Sequence, residues 1–214
     1  MVADDRQVVD CHLADPGRMR ELLVEDAIVH LAGPFGPPRK LPYSAILAEQ
    51  NGVCVNLVSA LPNTLVPLLL EQGDLPQLCV PERLLGLEAE VKVGDSRLDF
   101  CLEDDQGEVF VEAKSVTWVR DGEPGVGYFP DAPSQRARKH VLELASMAAR
   151  GQRAAVVFVA GRGDIAEVAP AEDVDPDFAS ALRQADAAGV TIVAVGLSFD
   201  SVGVFGPVSI PVRL

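Results

Sequence analysis

Asp99, Glu112 and Lys114 are the residues in this chain whose types and spacing carry the clearest chemistry. Residues 98–103 and 108–114 read as two strands joined by a two-residue turn at Asp105-Gln106. That turn pairs residues whose numbers sum to 211, so Asp99 faces Glu112 and Arg97 faces Lys114. Directly opposed residues share a sheet face. One face then collects Leu98 with Ala113, Phe100 with Val111, and Leu102 with Val109. The other face carries the two carboxylates, with an ammonium two residues beyond Glu112. Opposed like charges destabilise a strand pair unless something neutralises them. A divalent cation would do so, and Mg²⁺ favours one or two carboxylates plus water and phosphate oxygens. Lys114 would then orient or deprotonate an attacking water, or stabilise charge developing on a phosphate. The plainer alternative is a surface ladder in which Arg97 and Lys114 cancel Asp99 and Glu112.

Arg136, Arg138, Lys139 and His140 form an acid-free basic cluster near the start of a helix expected from about Ser134 to Arg150. Anions are favoured at a helix start, so the cluster reads as a phosphate clamp or as a solvated face. His140 as a general base is a further reading. The loop over 122–127 holds three glycines and Pro124, and reads as a substrate-covering loop or as plain surface. Tyr128-Phe129 reads as packing ahead of base stacking, and Asp131 as the helix cap ahead of a metal ligand.

These residues need a scaffold, and composition bounds it. The chain has 214 residues, 48% apolar and 23% charged, which fits a globular chain and excludes a disordered acidic tail. Eighteen basic against 32 acidic side chains give a net charge of −14. That balance argues against a generic nucleic-acid coat but not against a local basic groove. Cys11, Cys54, Cys79 and Cys101 form no CxxC pair, so neither a zinc site nor a disulfide framework is expected. No signal-peptide pattern opens the sequence, and Asn56, Pro62, Asn63 and Pro67 break its most apolar stretch. A soluble, cytoplasmic protein with no membrane partner is expected.

Two segments differ in pattern. Residues 1–82 hold short apolar runs between turn signals, with strands expected near 8–13, 27–31, 43–47 and 53–58. Short helices are expected over 18–24 and 64–72. Together they suggest a small β barrel or sandwich. Residues 83–214 alternate strand and helix signals: strands over 87–93, 154–160 and 190–197, and a helix opened by Asp175-Pro176 and closed by Gly189. This second part is an α/β domain. In the first segment Arg18, Arg39 and Lys40 are the basic side chains placed to meet a nucleic-acid strand. Residues 1–82 carry 5 basic and 11 acidic side chains, so any such surface is a patch on an acidic body.

The combination of Glu90-Val91, Ser96-Arg97-Leu98-Asp99-Phe100, Glu112-Ala113-Lys114-Ser115-Val116-Thr117, Gly127-Tyr128-Phe129-Pro130-Asp131-Ala132 and Arg136 with His140 resembles the sugar fermentation stimulation protein A (SfsA) family. The likeness continues through Gly151 to Ala154 and Asp175 to Phe178, and at the other end through His12-Leu13, Pro16 to Met19, Glu21 to Leu23, Arg39-Lys40 and Leu61-Pro62-Asn63. It covers nearly the whole chain. The resemblance implies an N-terminal OB-like β barrel and a C-terminal α/β domain (α+β mixed sheet) similar to PD-(D/E)xK restriction-endonuclease-like nucleases. It implies DNA as partner and Mg²⁺ or Mn²⁺ as cofactor. Asp99 matches the motif aspartate, Glu112 and Lys114 match the ends of (D/E)xK, and the Ala113 carbonyl matches a third protein ligand. Glu90 matches the upstream acid.

There are departures from the pattern. Leu98 stands for the signature proline, and Glu90 lies in a strand-like segment where the superfamily uses a helix. Asp15-Pro16-Gly17 stands for an Asn-Thr-Gly-like turn. The chain starts late against the family pattern, which predicts a barrel short of its first strand.

The leading expectation is a DNA-binding protein with a Mg²⁺-dependent phosphodiester-cleaving site. Two alternatives stay open: a non-catalytic DNA-binding regulator of sugar (maltose) metabolism genes, and a metal-dependent hydrolase of a small phosphorylated metabolite. A homodimer is also left open.

Overall fold

The computed structural model describes residues 8–14, 19, 21–94 and 96–214. Arg18 and the Asp15-Pro16-Gly17 turn lie outside the described residues. Of the helix expected over 18–24, the described part makes a single turn, closed by the Leu23 amide on the Met19 carbonyl at 2.9 Å.

The first sheet contains β1 (Cys11–Leu13), β2 (Val29–Ala32), β3 (Tyr43–Gln50) and β4 (Val53–Asn56). β3 is its spine: β2 lies along it antiparallel, β1 pairs its first half in parallel, and β4 returns along its second half. Asn51-Gly52 makes the β3–β4 turn, and both residues take positive φ, as a two-residue hairpin connection requires. Among the described residues the sheet is open rather than a closed barrel. Its own small core is built from Leu22, Ala45, Ala48, Val55 and Leu57.

α1 (Leu61–Gln72) follows, capped by Gly73 in the left-handed region. The sequence pattern grouped this helix with the first segment. Its buried residues Val66, Leu69 and Leu70 instead pack on Phe100, Leu102, Val109 and Val111 of the second part. A single 3-10 turn, Pro81–Arg83, then leads into the main sheet.

That sheet has six strands: β5 (Leu84–Val93), β6 (Ser96–Asp104), β7 (Gly107–Val116), β10 (Arg153–Ala160), β12 (Thr191–Phe199) and β13 (Val204–Ile210). Their order is β13-β12-β10-β7-β6-β5, parallel through β7, β10 and β12 and antiparallel outside. The central strand β10 is buried on both faces, as its unbroken apolar run requires. α1 covers one face. α2 (Gln135–Ala149) and α3 (Pro176–Ala187) cover the other through Val141, Leu144, Phe178 and Leu182.

A small sheet of β8 (Trp118–Val119), β9 (Val126–Phe129) and β11 (Glu167–Pro170) flanks the α2–α3 side. Tyr128 packs against Trp118 with ring centroids 5.8 Å apart, and Phe129 stands edge-on to Phe178 at 5.1 Å. The aromatic pair is therefore packing. The glycine-rich loop of 122–127 runs directly into β9. Among the described residues no helix is long and apolar enough to cross a membrane.

Candidate metal-dependent active site

The β6–β7 hairpin has the register that its turn dictates: Asp104 pairs Gly107, Leu102 pairs Val109, and Phe100 pairs Val111. In that alternation Ala113 would next exchange both backbone bonds with Leu98. It does not. The paired run of β6 with β7 stops at Phe100–Val111, and the Ala113 amide donates instead to Asp99 Oδ2 at 2.8 Å. The Asp99 side chain thus replaces a strand where the ladder opens. In an extended strand the N–H and C=O of one residue point to the same side, so the Ala113 carbonyl faces the same gap.

The opening has a cause on the neighbouring strand. The β5–β6 ladder keeps one register from Gly86–Glu103 to Val93–Ser96 and skips the Glu90–Asp99 pair within it. Glu90 has φ 59, an uncommon conformation for a non-glycine residue in a strand. Across this point the faces exchange. Leu87, Phe100 and Leu102 face α1, whereas Val91, Val93 and Leu98 face α2 and α3. Three expectations are corrected here. Asp99 does not pair with Glu112 in the ladder, Leu98 does not share a face with Phe100 and Leu102, and Arg97 does not oppose Lys114. Arg97 pairs Lys92 across the strands, and its guanidinium meets Glu90 at 2.8 Å on the exposed edge. Glu90 is accordingly 65% exposed and spends its carboxylate on Arg97.

Glu112 sits inside. It is 2% exposed, on the α2 side of β7. Its Oε1 accepts from Lys114 Nζ and lies 2.6 Å from His140 Nδ1. Lys114 and His140 thus converge on one oxygen of Glu112. Glu112 Oε2 is buried with no hydrogen-bond partner. Asp99 Oδ1 accepts from Asn63 Nδ2, in the first turn of α1, at 3.1 Å. The Asp99 carboxyl is held above the ordinary value of 3.8, first by burial and then by the neighbouring Glu112. The Ala113 amide, Lys114 and Asn63 work in the opposite direction. The site therefore joins Asp99, Glu112, the Ala113 backbone, Lys114 and His140 with acceptor capacity left over. Oxygen donors of this kind, with excess negative charge and a buried orphan oxygen, fit a hard divalent cation.

Clefts open on two sides. One, of about 250 Å³, is lined by Ser59, Lys114, Ser115, Thr117 and Asp131 among others. The second, of about 380 Å³, is lined by Ser96, Arg97, Gln135, Arg136, Lys139 and His140. Arg136 and Lys139 are exposed there, whereas His140 is buried and turned to Glu112. Asp131 is not the cap of α2: Ser134 Oγ accepts from the Ala137 amide at 3.2 Å. Arg39 and Lys40 lie on the exposed stretch before β3, with the Arg39 guanidinium 4.4 Å over the Phe35 ring. Asn63, which holds Asp99, escaped the reading of the sequence. Its place directly after Leu61-Pro62 in a family-like motif was the available signal.

Comparison with known proteins covers nearly the whole chain. Residues 2–57 match the family model described as the SfsA N-terminal OB domain, and residues 60–203 match the sugar fermentation stimulation protein RE domain. The sugar fermentation stimulation protein homolog of Moorella thermoacetica is 45% identical over 195 residues, covering 90% of this chain and 81% of that one. The Chloroflexus aurantiacus homolog is 38% identical over 206 residues, covering 96% and 77%. The structure of Pyrococcus furiosus SfsA in complex with Ca²⁺ superposes with a TM-score of 0.85 at 28% identity, covering 98% of this chain and 88% of that one.

Proposed function

The chain belongs to the sugar fermentation stimulation protein family, and from that premise we propose a DNA-binding protein whose Asp99, Glu112 and Lys114 cleave phosphodiester bonds with a divalent cation. One observation carries the reading. At the fork between β6 and β7, Glu112 is buried with an unpartnered oxygen beside an Asp99 whose ionisation that burial opposes. Without a cation the arrangement is costly, since a buried unsatisfied acceptor costs about 1–3 kcal/mol. A relative solved in complex with Ca²⁺ supports a preference for hard, oxygen-ligated cations.

Asp99, Glu112 and the Ala113 carbonyl would hold Mg²⁺ or Mn²⁺. The ion when bound supplies Lewis acidity toward a phosphoryl oxygen and a lowered pKa for its water. The protein residues do the rest. Asn63 and the Ala113 amide fix the Asp99 carboxylate, and His140 Nδ1 fixes Glu112 from the helix side. Lys114, anchored on Glu112 through Nζ, lines the cleft. There it orients the attacking water or meets charge growing on a phosphate oxygen. Arg136 and Lys139, at the start of α2, would seat a flanking phosphate.

Calorimetric titration with Mg²⁺ and Mn²⁺, with cleavage of single- and double-stranded DNA in the same buffers, tests this. Wild type should bind metal and cleave, Asp99→Ala should lose both, and Lys114→Ala should bind metal but cleave about 10²–10³-fold more slowly. Metal binding untouched by Asp99→Ala would sink the assignment. The net charge of −14 favours one competing reading, hydrolysis of a small phosphorylated metabolite. That reading predicts turnover of small phosphodiesters without salt-dependent DNA binding.

A further inference from the structure

The N-terminal sheet holds a second group of potential ligands, independent of the site at Asp99. His30 on β2, Glu49 on β3 and Cys54 on β4 converge there from three strands. Glu49 and Cys54 are directly opposed in the β3–β4 ladder. The β2–β3 register shifts between His30 and Leu31, and such a bulge re-aims a side chain out of the regular alternation. His30 pairs Leu47, which makes Glu49 its diagonal neighbour on the same face, and His30 Nε2 lies 2.8 Å from Glu49 Oε1. The imidazole nitrogen, a carboxylate oxygen and the Cys54 sulfur all lie within 4.8 Å of one another. Tetrahedral bonds of about 2.0–2.3 Å separate zinc ligand atoms by roughly 3.3–3.8 Å, so small side-chain rotations suffice to close the set. All three residues are half-buried, which leaves solvent access for an ion.

We infer that His30, Glu49 and Cys54 form a site for a thiophilic divalent cation, Zn²⁺ in the first instance, with a fourth position open to water or an added ligand. The donor set separates this site from the one at Asp99. An imidazole, a thiolate and one carboxylate suit zinc, whereas Mg²⁺ and Ca²⁺ take oxygen. Thiolate and carboxylate together neutralise the ion's two charges. The expectation from cysteine spacing, that no zinc site would form, followed from the absence of paired motifs. These ligands come from adjacent strands and leave no such spacing. The bound ion would cross-link β2, β3 and β4 of a sheet that is open among the described residues.

Co²⁺ serves as the optical probe, added to the full chain under a phosphine reductant. Wild type should take up one equivalent with a thiolate-to-cobalt charge-transfer band, displaced by Zn²⁺ and unmoved by excess Mg²⁺. Cys54→Ser should abolish the band. His30→Gln should weaken Zn²⁺ binding by more than the roughly 10–100-fold that losing an outer-shell partner costs. Asp99→Ala should leave the band intact, which separates this result from the fate of the proposed nuclease site. A wild type without the band, or a band that survives Cys54→Ser, overturns the inference. If Cys54→Ser fails to fold, alkylation of wild type decides the matter. Zn²⁺ should slow modification of Cys54 and not of Cys11 or Cys101, and equal rates at Cys54 with and without Zn²⁺ refute the site.

Discussion

Asp99 carries a conflict that stability measurements can read directly. Burial first, and Glu112 second, hold its carboxyl above 3.8 in the folded chain. A carboxyl with a raised folded value binds its proton more tightly folded than unfolded. Its ionisation therefore opposes folding at neutral pH, and the deficit closes as pH falls through the window above 3.8. Asp99→Asn keeps an oxygen to accept from the Ala113 amide but removes the charge. Without metal, the variant should melt above wild type at pH 7, and the gap should shrink as pH is lowered toward the unfolded value. Saturating Mg²⁺ should reverse the order, since ligand at about 100 times its Kd adds about 2.7 kcal/mol to wild type alone. Thermal melts across pH, with and without Mg²⁺, check both signs. Wild type melting above Asp99→Asn at pH 7 in the absence of metal contradicts the account.

At the scale of elements, the site depends on how two helix starts are tied together. Asp175 is buried, and its Oδ1 caps α3 by accepting from the Phe178 amide at 2.9 Å. Its Oδ2 accepts from the Ser134 amide, at the cap of α2, at 2.8 Å. One carboxylate thus holds in place the helix end that carries Arg136, Lys139 and His140. Asp175→Ala should cost about 2–3 kcal/mol, combining a lost cap with a stranded buried amide. Asp175→Asn, which can still accept through one oxygen, should cost less in the same denaturant titration. The cap was legible in the sequence, because Asp175-Pro176 ahead of an apolar helical stripe has few other readings. So was the hairpin register from Asp104–Gly107 to Phe100–Val111, because a two-residue turn leaves one solution. The fork at Asp99 was not legible. It depends on Glu90 taking a positive φ against a third strand, and no local pattern encodes that. The sheet of β8, β9 and β11 was missed for a related reason, since strands of two to four residues show no period. The docking of α1 onto the second part was also hidden, because an apolar stripe does not say which neighbour will cover it.

For the whole molecule, the governing fact is a net charge of −14 on a chain proposed to meet a polyanion. Long-range attraction cannot come from the body, so binding must rest on local cations and act within a Debye length, about 8 Å at physiological salt. Two such places stand out. Arg136 and Lys139 line the cleft beside His140, and Arg39 and Lys40 lie on the N-terminal part. The two parts are stitched at a polar seam. Buried Arg162 donates to Asp164, to Gln50 Oε1 on β3 and to the Thr117 carbonyl, while the Asn56 amide donates to the Gly161 carbonyl. If the chain binds DNA as proposed, such a seam means that the two parts need no mutual ordering at the moment of binding. The log of the DNA-binding constant should therefore fall steeply against log salt. Arg136→Ala should lower that slope by about 0.9 on duplex, the contribution of one phosphate contact, and weaken all sequences alike. Arg150→Ala, at the far end of α2 and bonded to Ser146 Oγ, should leave the slope unchanged. Equal slopes for wild type and Arg136→Ala would take the α2 cleft out of the binding path and shift the contact to Arg39 and Lys40.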